Sequence, residues 1–552
     1  MRAGVGRCAA VLAARGAACP CSTTSPAAFV AAARSHLRFC ARSTSAGTGL
    51  ARAGRTPRRR FPRASAGAGL GAAVALVACI AFGAAPALAQ AGDAAAGKAV
   101  YERKCMGCHG EKGDGKGPAA ELLDPKPRDL TSGIYKIRTT STKMPSDQDV
   151  FRIITEGMPG TSMPPWGVLS ERDRWNVIAY IKSFASEKFK EAPKKLELPK
   201  EVRSSAESIK RGREMFEAIE CNKCHGADGR ADGPSRDELK DEWGQPIKPA
   251  NLTKRWTFRG GPSRAAIATR LAAGVLGTPM PAFLDSVEKP DDIWHLANYL
   301  ASLGPEAPVY ATLLPATAVG EAIPDDPKAE LWKKMAGQDI PLMGQVIADP
   351  RNFNPSIDLV TVRAVYNDRE IAFHLTWDDP TESKPDGKQT FADAIALQFP
   401  PKLEPGGERP YFLMGDASEA VYQLRWDSGK GVSEVTANGP TKVRALAGSE
   451  ATGKAAYANG QYQVVIKRAL GAKDASRTTF RPAVFTPIAF QAWDGGAGET
   501  GTKLSLTSWY YLRLEEPQSK ARLVVPPVVA LLALGAMLVI VWAANRRGLS
   551  VS

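Results

Sequence analysis

Two motifs of the form Cys-x-x-Cys-His constrain this chain of 552 residues more than any other feature of its sequence. They occupy residues 105–109 and 221–225. Two residues between the cysteines allow both sulfur atoms to reach one haem, and the histidine that follows can ligate the iron. Two such motifs, about one domain apart, are difficult to obtain by chance. They predict two covalent haem c groups, attached to Cys105, Cys108, Cys221 and Cys224 and ligated by His109 and His225.

The cysteine and histidine counts argue against other uses of these residues. Five of the nine cysteines precede a predicted cleavage site, and the other four all lie in the two motifs. A zinc site would need further cysteine or histidine ligands nearby, and a disulfide framework would need cysteines elsewhere. Only His295 and His374 remain in the predicted mature chain. We expect His295 to pack on a helix and His374 to lie at the surface, on the polar face of a strand.

Residues 1–89 have the pattern of a leader followed by a signal peptide. Residues 70–84 are apolar, follow a cluster of arginines and lead into Ala87-Leu88-Ala89, which predicts cleavage after Ala89. The leader contains twelve arginines and no acidic residue, which fits a transit peptide or, as we favour, translation from too early a start codon. Without them, 60 of the 72 basic residues remain against 57 acidic ones, so the charge of +15 does not indicate nucleic-acid binding.

The C-terminal region contains a stretch of 22 uncharged residues, Leu523 to Ala544. At ~1.5 Å per residue, a helix of this length spans the ~30 Å hydrocarbon core of a membrane. Arg546 and Arg547 place the short tail in the cytoplasm by the positive-inside rule. We therefore predict a single-pass protein of the bacterial inner membrane, with the haem domains on the periplasmic side. The alternative is a buried core helix at the end of the chain.

The two motif regions form an internal repeat, over residues 90–187 and 205–304, with a linker at 188–204. The matched pairs are Gly97 and Gly212, Pro118 and Pro234, Lys126–Thr131 and Lys248–Thr253, and Trp175 and Trp294. This pattern resembles class I cytochrome c. The resemblance implies a small all-α fold whose first and last helices cross beside the haem. It also implies that the carbonyl groups of Pro118 and Pro234 accept a hydrogen bond from the ligand histidines.

A methionine loop in each half of the repeat supplies a candidate sixth iron ligand. Met163 lies 54 residues after His109, and Met280 lies 55 residues after His225. Both occupy Gly-Thr-x-Met-Pro sequences, and a thioether ligand raises the reduction potential of haem iron. We predict Met163 and Met280 as these ligands. Met144 and Met158 compete for the first haem, although neither matches the repeat.

Residues 328–518, which follow a proline-rich linker at 305–327, show the alternation of apolar and polar residues that is typical of β-strands. Two such runs, 360–366 and 371–377, flank an Asn-Asp turn. Further runs lie at 394–399, 462–467, 484–492 and 504–514. They predict an antiparallel β-sandwich. The expected fold class is thus multidomain α + β: two all-α cytochrome c domains, one antiparallel β-sandwich and one C-terminal transmembrane helix (523–544).

The predicted sandwich resembles the haem-binding γ-subunit domain of ethylbenzene dehydrogenase and its relatives. The likeness runs from about Trp332 to Pro517, and it rests on residues 342–345, 377–380, 393–400, 412–415, 492–495 and 503–509. Such domains serve molybdenum enzymes of the dimethyl-sulfoxide-reductase family. The resemblance implies one non-covalent haem b whose iron is held by Met414 and Lys503. Lysine ligates only when neutral, and bound iron would supply the necessary fall from its ordinary pKa of ~10.4.

The residues alone favour a simpler interpretation, in which Met414 fills the core and Lys503 is a solvated lysine. With the family motifs we instead expect a membrane-anchored electron-transfer subunit carrying two haems c and one haem b. It would relay electrons between a molybdenum oxidoreductase, of nitrate or nitrite type or related, and the respiratory chain. The expected partners are a molybdopterin catalytic subunit, an iron–sulfur subunit, and a soluble cytochrome c or a membrane respiratory complex.

Other classes of function remain open at this point. The sequence contains no Ser/His/Asp, paired-carboxylate or open-metal constellation, so substrate catalysis would belong to the partner. The main alternative is a dihaem electron donor to a terminal oxidase, with the sandwich as a docking module. An autonomous haem enzyme such as a peroxidase and a carbohydrate-binding protein are further alternatives.

Overall fold

The chain forms two helical regions, a β-sandwich and a C-terminal helix, in that order along the sequence. The computed structural model describes residues 92–310, 312–385, 387, 391–402, 408–516, 520–546 and 548. The predicted leader and signal peptide, with the cleavage site after Ala89, lie outside the described residues. The predicted combination of all-α regions and a β-sandwich is confirmed.

The first helical region begins at α1 (Ala94–Lys104), where the Asp93 side chain accepts hydrogen bonds from two backbone N–H groups of the first turn. Such capping satisfies donors that the helix itself leaves free. The other helices are α2 (Met106–His109), α3 (Asp147–Glu156) and α4 (Glu171–Ser183), with 3-10 turns at Ala120–Leu122 and Lys188–Lys190. Their apolar faces form one buried core that includes Val100, Tyr101, Ile154, Val177 and Ile178.

The second helical region repeats this arrangement. Its helices are α5 (Ala206–Ala218), α6 (Asn222–His225), α7 (Arg264–Ala273) and α8 (Asp292–Ser302), with 3-10 turns at Arg236–Glu238 and Arg255–Thr257. Ser205 and Ser263 cap α5 and α7 through hydrogen bonds to their third residues. The core includes Phe216, Ile267, Leu271, Ile293 and Leu296.

A glycine makes the crossing of the first and last helices possible in each region. A Cβ atom on Gly97 of α1 would lie 2.0 Å from the carbonyl oxygen of Asn176 in α4. A Cβ atom on Gly212 of α5 would lie 2.0 Å from the carbonyl oxygen of His295 in α8. Only glycine allows the two backbones to approach this closely. The predicted helix crossing and the pairing of these glycines in the repeat are therefore confirmed.

The third region is a β-sandwich of fourteen strands and one short helix, α9 (Glu330–Lys334), among the described residues. The strands are β1 (Leu313–Ala318), β2 (Gln338–Pro341), β3 (Met343–Gly344), β4 (Leu359–Tyr366), β5 (Glu370–Asp378), β6 (Ala394–Phe399), β7 (Val421–Asp427), β8 (Gly431–Ala437), β9 (Val443–Ala445), β10 (Thr452–Ala458), β11 (Gln461–Ala469), β12 (Phe485–Trp493), β13 (Ser505–Leu506) and β14 (Tyr510–Leu514).

The main path of the sheet runs β10-β11-β5-β4-β1-β14-β12-β6-β7-β8-β9, and β12 joins its two halves. The halves face each other across one apolar core. Aromatic side chains from both halves meet there, with Phe373 and Phe399 at 6.0 Å and Trp377 and Trp426 at 5.8 Å between ring centroids. Burying such large apolar side chains is the main stabilisation of the sandwich.

Two features of the sandwich differ from the sequence prediction. The segment predicted as a linker, 305–327, contributes β1, which pairs in parallel with both β4 and β14. The other strand pairs among the described residues are antiparallel, as predicted. Strands β2, β3 and β7 to β10 lie outside the predicted runs. In β10 the reason is physical, since this strand is largely exposed and lacks an apolar face.

The C-terminal helix, α10, spans Lys520–Arg546 and contains the stretch predicted to cross a membrane. Residues Val525–Arg546 are long and apolar enough to do so by length and composition. Their side chains are exposed, with Leu531 at 67% and Leu538 at 62%, unlike those of a buried core helix.

Candidate haem sites

Each Cys-x-x-Cys-His motif forms a single helical turn. The backbone N–H of His109 donates to the carbonyl of Cys105 at 3.0 Å, and that of His225 donates to the carbonyl of Cys221 at 2.9 Å. This turn brings both cysteines and the histidine to one side of the backbone. A glycine with positive φ follows each histidine and ends the turn.

The ring of each motif histidine is held by one backbone carbonyl. His109 Nδ1 lies 3.0 Å from the Arg128 oxygen, and His225 Nδ1 lies 2.8 Å from the Ala250 oxygen. Because a carbonyl can only accept, Nδ1 carries the proton and Nε2 keeps its lone pair. Burial lowers the pKa of both histidines, which favours the neutral ring that a metal requires.

The expectation that Pro118 and Pro234 supply these carbonyls is wrong. The actual acceptors, Arg128 and Ala250, occupy the same position in the repeated Lys-Pro-x-Asp/Asn-Leu-Thr segments. The repeat therefore indicated where the carbonyl acceptors lie, because the same spacing of polar residues occurs in this loop in both halves.

Matching hydrogen bonds hold the two Lys-Pro segments. The Asp129 Oδ1 atom accepts from the N–H and hydroxyl of Thr131, and the Asn251 Oδ1 atom accepts from those of Thr253. The leucine between these two residues in each segment donates its backbone N–H to a glycine carbonyl near the motif. The distances are 2.7 Å from Leu130 to Gly113 and 2.6 Å from Leu252 to Gly229. These contacts fix the segment that holds the histidine ring.

The two methionine loops are also built alike. The N–H of Met163 donates to Thr161 Oγ1 at 3.1 Å, and the N–H of Met280 donates to Thr278 Oγ1 at 3.3 Å. Each threonine hydroxyl in turn donates to a carbonyl three residues earlier, at 2.8 Å and 2.7 Å. The loop geometry therefore matches in both regions, as the spacing predicted.

A cavity of about 300 Å³, here called the first pocket, lies between the motif and the methionine loop of the first region. Its lining brings together Cys105, Cys108, His109 and Met163. Met158 also lines the pocket. In the repeat, however, Met158 corresponds to Val275, because the N–H of Met158 donates to the Met163 carbonyl as the N–H of Val275 donates to the Met280 carbonyl. Met144 is buried and its carbonyl accepts from Thr140.

The corresponding site in the second region lies beside its apolar core. Cys221 and Met280 both pack, half-buried, against the cluster that includes Phe216 and Trp294. With His225, whose ring contacts the Ala250 carbonyl, the second region has the same cysteine, histidine and methionine side chains as the first. In apolar surroundings and donor atoms, both regions fit a haem held by two thioether bonds and a His/Met pair of ligands, and the first region also provides a cavity.

Five cationic side chains line the first pocket. Lys104 and Lys126 are exposed, whereas Arg128, Lys136 and Arg259 are half-buried, and Arg259 comes from the second region. Burial, together with the nearby charges of Arg259 and Arg128, lowers the pKa of Lys136 to about 7. Burial also lowers the pKa of Arg128 to about 10. Among the described residues, no carboxylate forms an ion pair with Lys136 or Arg259.

A second group of buried charges joins the second helical region to the sandwich. Asp378, at the end of β5, accepts from Arg230 at 2.7 Å and from Asn251 at 2.7 Å. Lys254 lies 2.6 Å from Asp358 and 3.9 Å from Asp378. Burial alone would lower the pKa of Lys254, but these two carboxylates outweigh it and raise the pKa. We call Asp378 and its three partners the Asp378 junction.

The structure places the predicted haem b ligands, Met414 and Lys503, near one apolar cluster of the sandwich. Met414 is 2% exposed and packs in a cluster with Trp493 and Leu504. Lys503 is half-buried, and its Nζ atom donates to the Ala497 carbonyl at 3.1 Å. In this packing the sulfur of Met414 is covered and the amine of Lys503 is engaged elsewhere. The two side chains fit a haem only if their present neighbours move.

The two remaining histidines have different surroundings. His295 is half-buried on α8 with its Nδ1 atom 2.8 Å from Ser208 Oγ, as expected. The expectation that His374 lies at the surface is wrong, because it is 4% exposed. Its ring stacks on Trp332, and its Nε2 atom lies 3.0 Å from the Pro327 carbonyl. The segment before β2 covers this face of the strand, which its polar pattern did not indicate.

Three family models match separate parts of the chain. Residues 92–181 match the model described as cytochrome c oxidase, cbb3-type, subunit III, and residues 209–304 match that of cytochrome c. Residues 329–409 match the model described as ethylbenzene dehydrogenase. These matches confirm both resemblances that the sequence motifs indicated.

Relatives are similar to different portions of the chain. A putative respiratory nitrate reductase heme subunit from Haloferax mediterranei is 26% identical over 235 residues, which are 42% of this chain and 84% of that protein. Cytochrome c-554(547) from Halothiobacillus neapolitanus is 39% identical over 95 residues, 16% of this chain and 96% of that protein. A solved structure of a reducing HAO-like protein complex from Kuenenia stuttgartiensis has 39% identity and a TM-score of 0.37, covering 38% of this chain and 96% of its own.

Proposed function

Because this chain belongs to the cytochrome c family, with two such domains before an ethylbenzene dehydrogenase-like domain, we propose that it anchors an electron relay to a membrane. The chain is a multihaem electron-transfer subunit. The observation that carries the proposal is the matched pair of Cys-x-x-Cys-His and methionine loops, each with a neutral, carbonyl-held histidine.

In this proposal, Cys105 and Cys108 attach the first haem c, and His109 and Met163 ligate its iron. Cys221, Cys224, His225 and Met280 do the same for the second. A bound haem supplies one-electron chemistry at its iron. The chain orients the haem through the thioether bonds and keeps each histidine neutral by burial. The carbonyls of Arg128 and Ala250 hold the imidazole rings in place.

The cations of the first pocket also support a bound haem. Arg128, Lys136 and Arg259 are half-buried and have no ion-paired carboxylate among the described residues, so they repel one another, lose hydration and favour an anionic partner. The propionate groups of a haem supply two negative charges. We assign Arg128, Lys136 and Arg259 to these propionates.

The proposed partners follow from the sandwich and the relatives. A relative named as a nitrate reductase heme subunit and the ethylbenzene dehydrogenase-like domain support assembly with a molybdopterin catalytic subunit and an iron–sulfur subunit. The substrate reaction would occur in that partner. A soluble cytochrome c or a membrane complex would exchange electrons with the haem c domains. With α10 as the anchor, these domains would lie on the periplasmic side of the bacterial inner membrane.

Haem b in the sandwich, between Met414 and Lys503, is part of the proposal. An exposed apolar surface beside Lys503 supports it. Met343, Val346, Ile347 and Phe353 are 44–67% exposed. Strand β3 within this segment pairs with β13, and the Gln345 side chain donates to the Thr502 carbonyl. An apolar cofactor or partner that covered this surface would remove it from water, which is favourable.

A second candidate function is a dihaem electron donor in which the sandwich only docks a partner. The burial of Met414 and the bond from Lys503 to Ala497 favour this candidate.

A haem count on purified full-length protein distinguishes the two. We expect acidified acetone to release one haem b for every two haems c that remain bound. Met414→Ala and Lys503→Ala should each lose the extractable haem and keep both haems c, while Cys221→Ala should lose one haem c and keep the haem b. Wild-type protein with two haems c and no extractable haem would establish the second candidate. Protein without covalent haem would contradict both.

A further inference from the structure

Three buried carboxylates, none of them a proposed haem ligand, converge at one end of the sandwich. They belong to Asp379, Asp393 and Asp494, which are 0%, 0% and 4% exposed. One oxygen from each lies within 4.8 Å of the others. Asp379 directly follows β5, Asp393 directly precedes β6 and Asp494 directly follows β12. The group therefore connects strands from both halves of the sheet.

The hydrogen bonds of these carboxylates leave one oxygen without a partner. Asp393 accepts from the N–H groups of Ser383 and Gly495 and from the Tyr462 hydroxyl, at 2.6, 2.8 and 2.8 Å. Asp494 Oδ1 accepts from the Ala497 N–H at 2.8 Å. Asp379 Oδ1 accepts from the Thr381 N–H, whereas Asp379 Oδ2 is buried and has no hydrogen-bond partner.

Nothing among the described residues neutralises this group by an ion pair. No lysine or arginine in the described part of the chain lies within ion-pair distance of these three carboxylates. Burial and then the neighbouring carboxylates raise the pKa of Asp379, while burial raises that of Asp393 to about 6. Three ionised carboxylates cannot share a dry site unless protons or a cation compensate them.

A single proton does not compensate the whole group. A proton on Asp379 Oδ2 would neutralise one of the three charges and leave those of Asp393 and Asp494 together in the same buried site. A proton on Oδ1 would compete with the N–H that Thr381 already donates there. A cation instead binds Oδ2 directly and lowers the repulsion among all three groups.

We propose that Asp379, Asp393 and Asp494 bind one divalent cation with a preference for oxygen ligands, namely Ca²⁺. Calcium is bound by oxygen atoms at about 2.3–2.6 Å, so two ligands on opposite sides of one ion are about 4.6–5.2 Å apart. The spacing of up to 4.8 Å fits this size. The absence of sulfur and imidazole from the three-residue group disfavours zinc. Water or nearby hydroxyl groups would complete the coordination.

The site lies next to the surface that holds the second helical region. Asp379 follows Asp378 of the Asp378 junction. The Asp379 N–H donates to the Gly460 carbonyl, and the Asp379 carbonyl accepts from the Tyr457 hydroxyl. The neighbouring Asn459 donates to Asp228 of the second region at 2.7 Å. A bound cation would therefore stabilise the loops on which that region rests.

Calcium titration of the purified, haem-loaded full chain after removal of metal with EGTA tests the proposal. We expect one Ca²⁺ per chain and an increase in the unfolding temperature of the sandwich. At a Ca²⁺ concentration 100-fold above the dissociation constant the increase should be about 5–10 °C. Asp379→Asn should weaken binding at least tenfold and remove the increase. Asp494→Asn, which also replaces one carboxylate by an isosteric amide, provides a second variant if the first does not fold.

Asp368→Asn is the matched control, because Asp368 is an exposed acidic residue in the turn between β4 and β5. It should bind Ca²⁺ as the wild type does. Absence of Ca²⁺ binding by the wild type, or full binding by Asp379→Asn, would overturn the proposal. Binding of Mg²⁺ in preference to Ca²⁺ would overturn the assignment to calcium. Asp494 shares a loop with the proposed haem ligand Lys503, because Ala497 contacts both, whereas Asp379 lies outside that loop. The haem count of Asp379→Asn therefore tests the electron relay separately from calcium binding.

Discussion

The two helical regions share one framework for the proposed iron ligands and differ in the charges that surround it. In both, an equivalent carbonyl holds the motif histidine. Each region also has a half-buried lysine. Lys136 lines the first pocket without a paired carboxylate, whereas Lys254 is paired with Asp358 in the Asp378 junction. The proposed iron ligands thus occupy equivalent positions in the two halves of the repeat. The halves differ in the charged side chains that surround those positions.

This difference has consequences for electron transfer. Positive charge near a haem, including cations that pair with its propionates, stabilises the reduced iron, because reduction removes one positive charge from the metal centre. The cations of the first pocket should therefore raise the potential of the first haem. In the second region, the charge of Lys254 is instead balanced by the carboxylates of Asp358 and Asp378 in the sandwich. We expect the two haems c to have different potentials even with identical ligands.

The largest test of the shared framework replaces its methionines. Met163→His and Met280→His should each keep the haem and lower its potential by roughly 100–200 mV, within the ~0.8 V that axial ligands cover. The reason is that a thioether ligand favours the reduced iron, and imidazole replaces that ligand in these variants. A potentiometric titration of each variant, followed by visible spectroscopy, measures both c-type potentials.

Met158→Leu is the control for the first site, because Met158 lines the same pocket. It should leave both potentials within about 20 mV of the wild type if axial ligation is unchanged. A large effect of Met158→Leu, together with no effect of Met163→His, would show that the first region departs from the repeat. The comparison between the two regions would then fail at its starting point.

The sequence predicted the elements of this comparison unevenly. The proposed ligand residues and the methionine loops lie in local motifs that occur twice, so spacing alone was enough to predict them. Strands β4 and β5 alternate between apolar and polar residues, and β6 is a short, mostly apolar run; all three were predicted to within a few residues. In contrast, Arg259 reaches a pocket formed about 100 residues earlier in the chain. No local pattern indicates such a contact.

His374 illustrates the same limit within the sandwich. Its strand pattern places it on a polar face, but the segment that includes Pro327 and Trp332 covers that face. Contacts of this kind depend on how distant segments pack. The unpaired oxygen of Asp379 likewise became visible only when three separate segments met in space.

The second test removes the charge that the second region contributes to the first pocket. Arg259→Gln should lower the potential of the first haem by about 50–100 mV and leave the second almost unchanged. A unit charge at ~8–10 Å is worth ~2 kcal/mol at an effective dielectric constant of ~20, and ~59 mV corresponds to ~1.4 kcal/mol for one electron. Potentiometry with the two haems resolved by Met163→His measures the change.

Arg213→Gln is the matched control, since Arg213 belongs to the second region but is exposed and pairs with Glu217 on α5. It should leave both potentials unchanged. If Arg259→Gln altered the second haem and not the first, the assignment of Arg259 to the first pocket would be contradicted.

The smallest expected effect is a pH dependence confined to the first haem. Burial and the adjacent arginines lower the pKa of Lys136 to about 7 from its ordinary value near 10.5, and a propionate partner would move it part of the way back. Below its pKa, Lys136 is charged and raises the potential; above it, the charge and its contribution are lost. The potential of the first haem should therefore fall by a few tens of millivolts as the pH increases from 7 towards 10.

Lys136→Met should remove this fall. Lys254, whose pKa is raised by Asp358 and Asp378 against the effect of burial, stays charged over the same range, so the second haem should show no matching change. Equal pH dependence of both haems, retained in Lys136→Met, would show that the difference in buried charge does not reach the iron.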